Sequence, residues 1–277
     1  MTIEIWQVDA FTDRAFAGNP AGVCILPEAR DTPWYQLVAA EMNLSETAFL
    51  RPKDDGFELR WFTPLTEVDL CGHATLASAH LLWERGLLSP GDQARFETRS
   101  GLLTADRDEA SRWIYLDFPS TPAAACDPPH DLDRTLGTQP LWVGASEYDL
   151  VVEVSDGTTV RNLDPDMNAL ARLPYRGIIV TASGEGESGN PDFVSRFFGP
   201  ACGVPEDPVT GSAHCALGPF WGGRLGKTKM VARQLSRRGG VVRVELAGHR
   251  VRLGGQAVTI LHAVLLAGPG VGDTGEA

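Results

Sequence analysis

The chain has 277 residues, 43% of them hydrophobic, enough to fill the cores of two domains of moderate size. Its 24 Lys and Arg stand against 36 Asp and Glu, and the formal charge of -12 repels phosphate backbones and anionic membrane surfaces, which argues against a nucleic-acid partner. The five cysteines (Cys24, Cys71, Cys126, Cys202, Cys215) are scattered, with no Cys-x-x-Cys pair, no run reaches the roughly 18 apolar residues of a membrane span, and the N-terminus lacks signal-peptide character; together these predict a reduced cytoplasmic protein without a structural zinc.

Taken in order, Ile3 to Val8 and Ala21 to Leu26 read as strands, joined by a loop whose Gly18-Asn19-Pro20-Ala21-Gly22 suits a tight turn or a close approach. A helix is predicted from Pro33 to Met42, with Thr32 as its cap. In Leu44-Ser45-Glu46-Thr47-Ala48-Phe49 a carboxylate interrupts a segment bound for the core, and desolvation there would raise its pKa as a proton shuttle requires. Phe57 to Phe62 reads as a strand. His73 to Glu84 is rich in Ala and Leu on nearly every side, the pattern of a helix enclosed all round. Strands at Gln93 to Thr98, Gly101 to Asp106 and Ser111 to Phe118 come next. Pro119 to Pro129, with four prolines in eleven residues, reads as the linker, which gives domains at 1–120 and 121–277.

The second half opens with a short helix near Asp131 to Leu136, then strands at Pro140 to Val143 and Tyr148 to Val154, a helix at Pro165 to Leu173 and a strand at Gly177 to Thr181. Phe193 to Phe198 reads as a strand and Ser212 to Arg224 as a second enclosed helix. Three or four strands fill Thr228 to Leu265, and the tail from Gly268 to Ala277 reads as disordered.

The two halves echo each other. Phe57-x-x-Arg60-Trp61-Phe62-x-Pro64 matches Phe193-x-x-Arg196-Phe197-Phe198-x-Pro200, and each copy leads through a loop to a Glu (Glu67, Glu206), four residues, then Gly and a polar residue before Ala at a helix start. Duplication predicts an α+β fold of two pseudo-symmetric domains, each an antiparallel barrel-like sheet wrapped on a central helix, with the site between the halves. The helix starts at Gly72-His73 and Gly211-Ser212 offer backbone N–H groups to a carboxylate or a developing enolate, although Ser212 could equally be an ordinary cap. Pro208 holds Asp207 extended, and the symmetry of Glu67 and Glu206 favours a structural role for that pair. Cys71 at a helix start is a candidate thiolate, but its counterpart in the repeat is Thr210, so a two-thiol device is absent. His80 and His214, inside the helices, read as satisfied core histidines. No phosphate loop or pyridoxal lysine is recognisable, so no cofactor is expected.

At these residues the sequence resembles the PhzF family, the phenazine-biosynthesis-like isomerases that share the diaminopimelate-epimerase fold. The resemblance runs through Asp9-Ala10-Phe11-Thr12, Gly18 to Val23, Ser45 to Phe49, Arg60 to Pro64, Leu70 to Thr75 and Glu206 to His214. It implies a homodimer of two-domain chains, Glu46 as the catalytic proton shuttle, and His73 and Asp207 as residues that bind substrate or relay protons. Gly72, Gly211, Ser212 and Cys71 are then expected to bind a small carboxylate substrate. The alternatives are an epimerase with Cys71 as one base and a non-catalytic carboxylate-binding protein. A Ser212-His73-Asp207 hydrolase is disfavoured because Ser212 is not in a Gly-x-Ser-x-Gly elbow.

Overall fold

A computed structural model describes residues 3–266; the tail read as disordered lies outside them. The described residues form a mixed α+β structure, mostly strands, with six α-helices. They divide into two compact units, one of residues 3–16, 20–114 and 256–266, the other of 17–19 and 115–255. This differs from a boundary at residue 120 in two ways. The chain changes unit between Ile114 and Tyr115, and its last strand returns to the first unit. Ala257–Leu265 pairs antiparallel with Ile3–Ala10, from Ile3 opposite Leu265 to Ala10 opposite Ala257. The proline-rich segment is no free linker: Ala124 and Ala125 pair with Ala145 and Gly144, and the Thr121 N–H donates to the Cys215 carbonyl, all within the second unit.

In the first unit, residues 20–25 of the strand Asn19–Ile25 run parallel to Glu46–Lys53, which pairs antiparallel with Gly56–Phe62. That strand meets the short return strand Glu67–Val68 antiparallel and Ala94–Thr98 parallel. The second unit repeats the sequence of pairings. Asp149–Glu153 runs parallel to Gly177–Ser183, which is antiparallel to Phe193–Gly199; that strand meets Val204–Asp207 antiparallel and Lys229–Gln234 parallel. The sheets are therefore mixed, not antiparallel as expected, because each repeat crosses over its helix before adding the next strand, and such a connection delivers a parallel neighbour.

Each repeat carries the same ion pair. Arg60 grips Glu67 with Nε at 2.7 Å and Nη2 at 2.8 Å, and Arg196 grips Glu206 at 2.6 and 2.9 Å. Each guanidinium also lies over the phenylalanine two residues on, 5.1 Å from the Phe62 centroid and 4.7 Å from that of Phe198. Glu67 and Glu206 thus clamp the return strand to the repeat strand, the structural role their symmetry suggested.

The helix Gly72–Glu84 packs on Ile3–Ala10, Glu46–Lys53 and Ala257–Leu265. Every residue from His73 to Ala79 and from Leu81 to Trp83 is buried, so no face is left for solvent. Its polar residues fit because Thr75 and Ser78 return their hydroxyls to the carbonyls of Cys71 (2.6 Å) and Ala74 (2.7 Å). The helix Gly211–Leu225 packs on the hairpin strands Gly240–Ala247 and Arg250–Gly255. Close approach depends on Gly222, where a Cβ would come within 2.5 Å of the Leu246 side chain.

Smaller expectations shift. The first helix, Thr32–Met42, is capped by Asp31, whose carboxylate accepts from the Trp34 N–H at 3.1 Å, and not by Thr32. The helix expected over Pro165 to Leu173 is only Met167–Leu170, and a short helix at Gly157–Asn162, capped by Asp156, was not foreseen.

Candidate active site

In the first unit, Glu46 opens the strand Glu46–Lys53, and its side chain is 18% exposed. The helix Gly72–Glu84 begins beside it and brings His73 Nε2 to 3.3 Å from Glu46 Oε2, off the line a hydrogen bond requires. The other ring nitrogen, Nδ1, lies 3.5 Å from Cys71 Sγ. Burial pushes the His73 imidazole down to about 3, so the ring is neutral at physiological pH. It stands between a carboxylate and a thiol with one nitrogen turned to each. Cys71 is the N-cap and makes no side-chain capping bond, so no capping side chain occupies the first-turn N–H groups that begin at Gly72.

Donor atoms of Glu46, Cys71 and His73 all lie within 4.8 Å of one another, a set that could hold a metal ion and that the scattered cysteine spacing did not suggest.

In the second unit, Asp207 ends the strand Val204–Asp207, three residues before the N-cap Thr210 of Gly211–Leu225. Part of the residue reaches solvent, yet desolvation of its carboxyl is the largest influence and pushes it up to about 6. Hydrogen bonds from the Thr210 hydroxyl and from Asn19 Nδ2 (2.8 Å), together with the charge of Arg176, pull the other way. Gln234, itself buried, donates to the Asp207 carbonyl at 2.7 Å and accepts from the Thr210 N–H at 2.9 Å.

Ser212 does not cap the helix. Its Oγ accepts from Arg176 Nη2 at 2.9 Å, and Thr210, the N-cap, makes no side-chain capping bond, so no side chain caps the first-turn donors that begin at Gly211. Arg176 is held by Asp149, Nε to Oδ1 at 2.9 Å and Nη2 to Oδ2 at 2.5 Å, and lies over the Tyr148 ring. His214 is fully buried in the core, with Nδ1 2.8 Å from the Thr210 carbonyl and its pKa pushed down to about 4 by burial, but it is only half satisfied, since Nε2 has no hydrogen-bond partner. His80 contacts the Thr259 hydroxyl and the Glu84 carboxylate.

The structure thus groups Glu46, His73, Cys71 and Gly72 on one unit, and Asp207, Gly211 and Ser212 on the other. Sequence reasoning passed over Asn19, Arg176, Asp149 and Gln234. Of these only Asn19 carried a local signal, in its Gly-x-Pro setting; Gln234 and Arg176 reach their places solely through sheet pairing. A depression of about 440 Å³ lined by Cys126, Leu132, Leu141 and Trp142 includes none of these residues.

Each unit thus holds a carboxylate near the start of a helix that no side chain caps. Residues 8–263 match the phenazine biosynthesis-like (PhzC-PhzF) family. A Halalkalibacterium halodurans protein named an uncharacterized isomerase is 53% identical over 267 residues, 96% of this chain and 99% of its own. A PhzF-family crystal structure from Enterococcus faecalis superposes with a TM-score of 0.91 at 39% identity, covering 96% of this chain and all of that one. A hydroxyproline epimerase from Agrobacterium vitis, solved with trans-4-hydroxy-L-proline, shares the fold at a TM-score of 0.63 and 12% identity, over 95% and 92% of the two chains. The chain belongs to the PhzF family, and it is an isomerase.

Proposed function

We propose that the protein moves a proton between two carbons of a small carboxylate-bearing substrate without a cofactor, and that Glu46 takes and returns that proton. The observation that carries this reading is the Glu46–His73 contact. Because the imidazole is neutral, it brings no positive charge to the carboxylate and gives it a neighbour able to pass a proton on. Asp207, pushed up to about 6, exchanges a proton readily near neutral pH and is the second acid–base candidate. The N–H groups that begin at Gly72 and Gly211 and the hydroxyl of Ser212 suit a substrate carboxylate or the enolate that forms when carbon loses its proton. The test is proton NMR in deuterium oxide with a panel of small alicyclic and aromatic carboxylates. The proposal expects deuterium to enter a carbon position of at least one that binds, whereas ligands that bind and never exchange would identify a binding protein.

A second reading, an epimerase with Cys71 as one base, draws on the 3.5 Å approach of Cys71 Sγ to His73 Nδ1. Cys71→Ala separates the two. The leading reading retains turnover within about tenfold, and the epimerase reading loses it.

A further inference from the structure

Ala17, Gly18 and Asn19 group with the second unit although the chain on both sides of them belongs to the first. Arg238 pins this segment, Nε to the Gly18 carbonyl at 2.8 Å and Nη2 to that of Ala17 at 3.0 Å, and the Gly18 N–H donates to the Gly239 carbonyl at 2.8 Å. Gly18, at φ 66°, supplies the left-handed turn. The excursion delivers one side chain, Asn19, which is completely buried.

Its orientation is fixed by chemistry. Nδ2 lies 3.0 Å from the Val209 carbonyl, which can only accept, so the amide must turn its N–H groups that way, and the other N–H then points at Asp207 Oδ1, 2.8 Å off. Asn19 Oδ1 is left buried with no hydrogen-bond partner. An orphaned buried acceptor is destabilising, and the loop is already tied down by Arg238, so anchoring alone gives no reason for an asparagine here.

We infer that Asn19 is a positioning residue for the reaction: its amide, with the Thr210 hydroxyl, aims the Asp207 carboxyl and sets where it gains and loses its proton. This rests on the reading of Asp207 as an acid–base group. Donors to both carboxylate oxygens favour the ionised form, and Gln234 fixes the backbone that follows it, through the Asp207 carbonyl and the Thr210 N–H. The charged groups acting on Asp207 are Arg176, which favours ionisation, and Glu206, which opposes it. Without Asn19, desolvation would be countered by one donor fewer, and Asp207 would stay protonated to higher pH.

The experiment is a carbon-detected NMR titration of ¹³C-labelled aspartate carboxyls, with the asparagine side-chain amides followed in the same samples. In the wild-type protein the Asn19 amide shifts with the same midpoint as Asp207. In Asn19→Leu that midpoint rises by about one unit, tenfold in proton affinity. An Asn19 amide that stays silent through the titration, or an unchanged Asp207 midpoint in the variant, overturns the inference. Should the variant fail to fold, the wild-type titration decides alone. Asp207→Asn with full turnover would instead remove Asp207 from the reaction while leaving its coupling to Asn19 intact.

Discussion

Asp207 carries a stability penalty that its replacement by asparagine should remove. Its folded-state carboxyl is raised from 3.8 to about 6, roughly two units, and at about 1.4 kcal/mol per unit the ionised form destabilises the native protein by about 3 kcal/mol. Because the folded pKa lies above the unfolded one, the native state holds the proton more tightly. Stability from this group is complete below pH 3.8 and is lost as pH rises through 6. Asp207→Asn suits the site without charge: its Oδ1 can face Asn19 Nδ2, and its amide can donate to the Thr210 hydroxyl oxygen. Urea denaturation of the two proteins should therefore show the variant more stable by about 3 kcal/mol at pH 8 and by about half of that at pH 5. Two buried histidines act in the opposite sense. His73 and His214, pushed down to about 3 and about 4, destabilise both proteins as pH falls below 6.5, so only the difference between the two proteins isolates Asp207. Equal stability at pH 8, or a gain that does not change with pH, would refute the reasoning.

Two further expectations concern groups outside the proton chemistry. Arg196→Ala abandons Glu206 and the Leu163 carbonyl, to which Nη1 donates at 2.7 Å, and should destabilise the protein by about 3 kcal/mol, read as a fall in Tm of roughly 6–12 °C; a fall under about 2 °C contradicts the clamp. Cys24 and Cys215, buried and pushed up to about 12, should resist iodoacetamide at pH 8 in the native state while exposed Cys202 is alkylated first; peptide mass spectrometry showing either buried thiol labelled as fast would contradict their burial.

The parts of the fold written in local pattern were legible. The enclosed helix Gly72–Glu84 could be read because Ala and Leu lie on nearly every side of it, and the duplication because Arg60 and Arg196 each need a phenylalanine beneath and a glutamate ahead. Strand direction was not legible, since whether Phe193–Gly199 runs parallel or antiparallel to Lys229–Gln234 depends on the path between them and not on either strand. The return of Ala257–Leu265 to the first strand is likewise a long-range pairing, and the proline-rich stretch misled because proline marks an interrupted backbone, not a boundary. In the site, Glu46 stood out as a carboxylate in an apolar run. Asn19 and Gln234 did not, because an amide reveals its role only once a partner 188 or 24 residues away is in place.

The central claim is that Glu46 carries the proton. Once a carboxylate that exchanges with the wild-type protein is in hand, deuterium incorporation by Glu46→Gln tests it most directly, with circular dichroism confirming the fold. A glutamine keeps the shape and cannot take a proton, so exchange should fall at least a hundredfold, the scale of general acid–base catalysis. Exchange retained within about tenfold in the folded variant would show that the proton travels by another group.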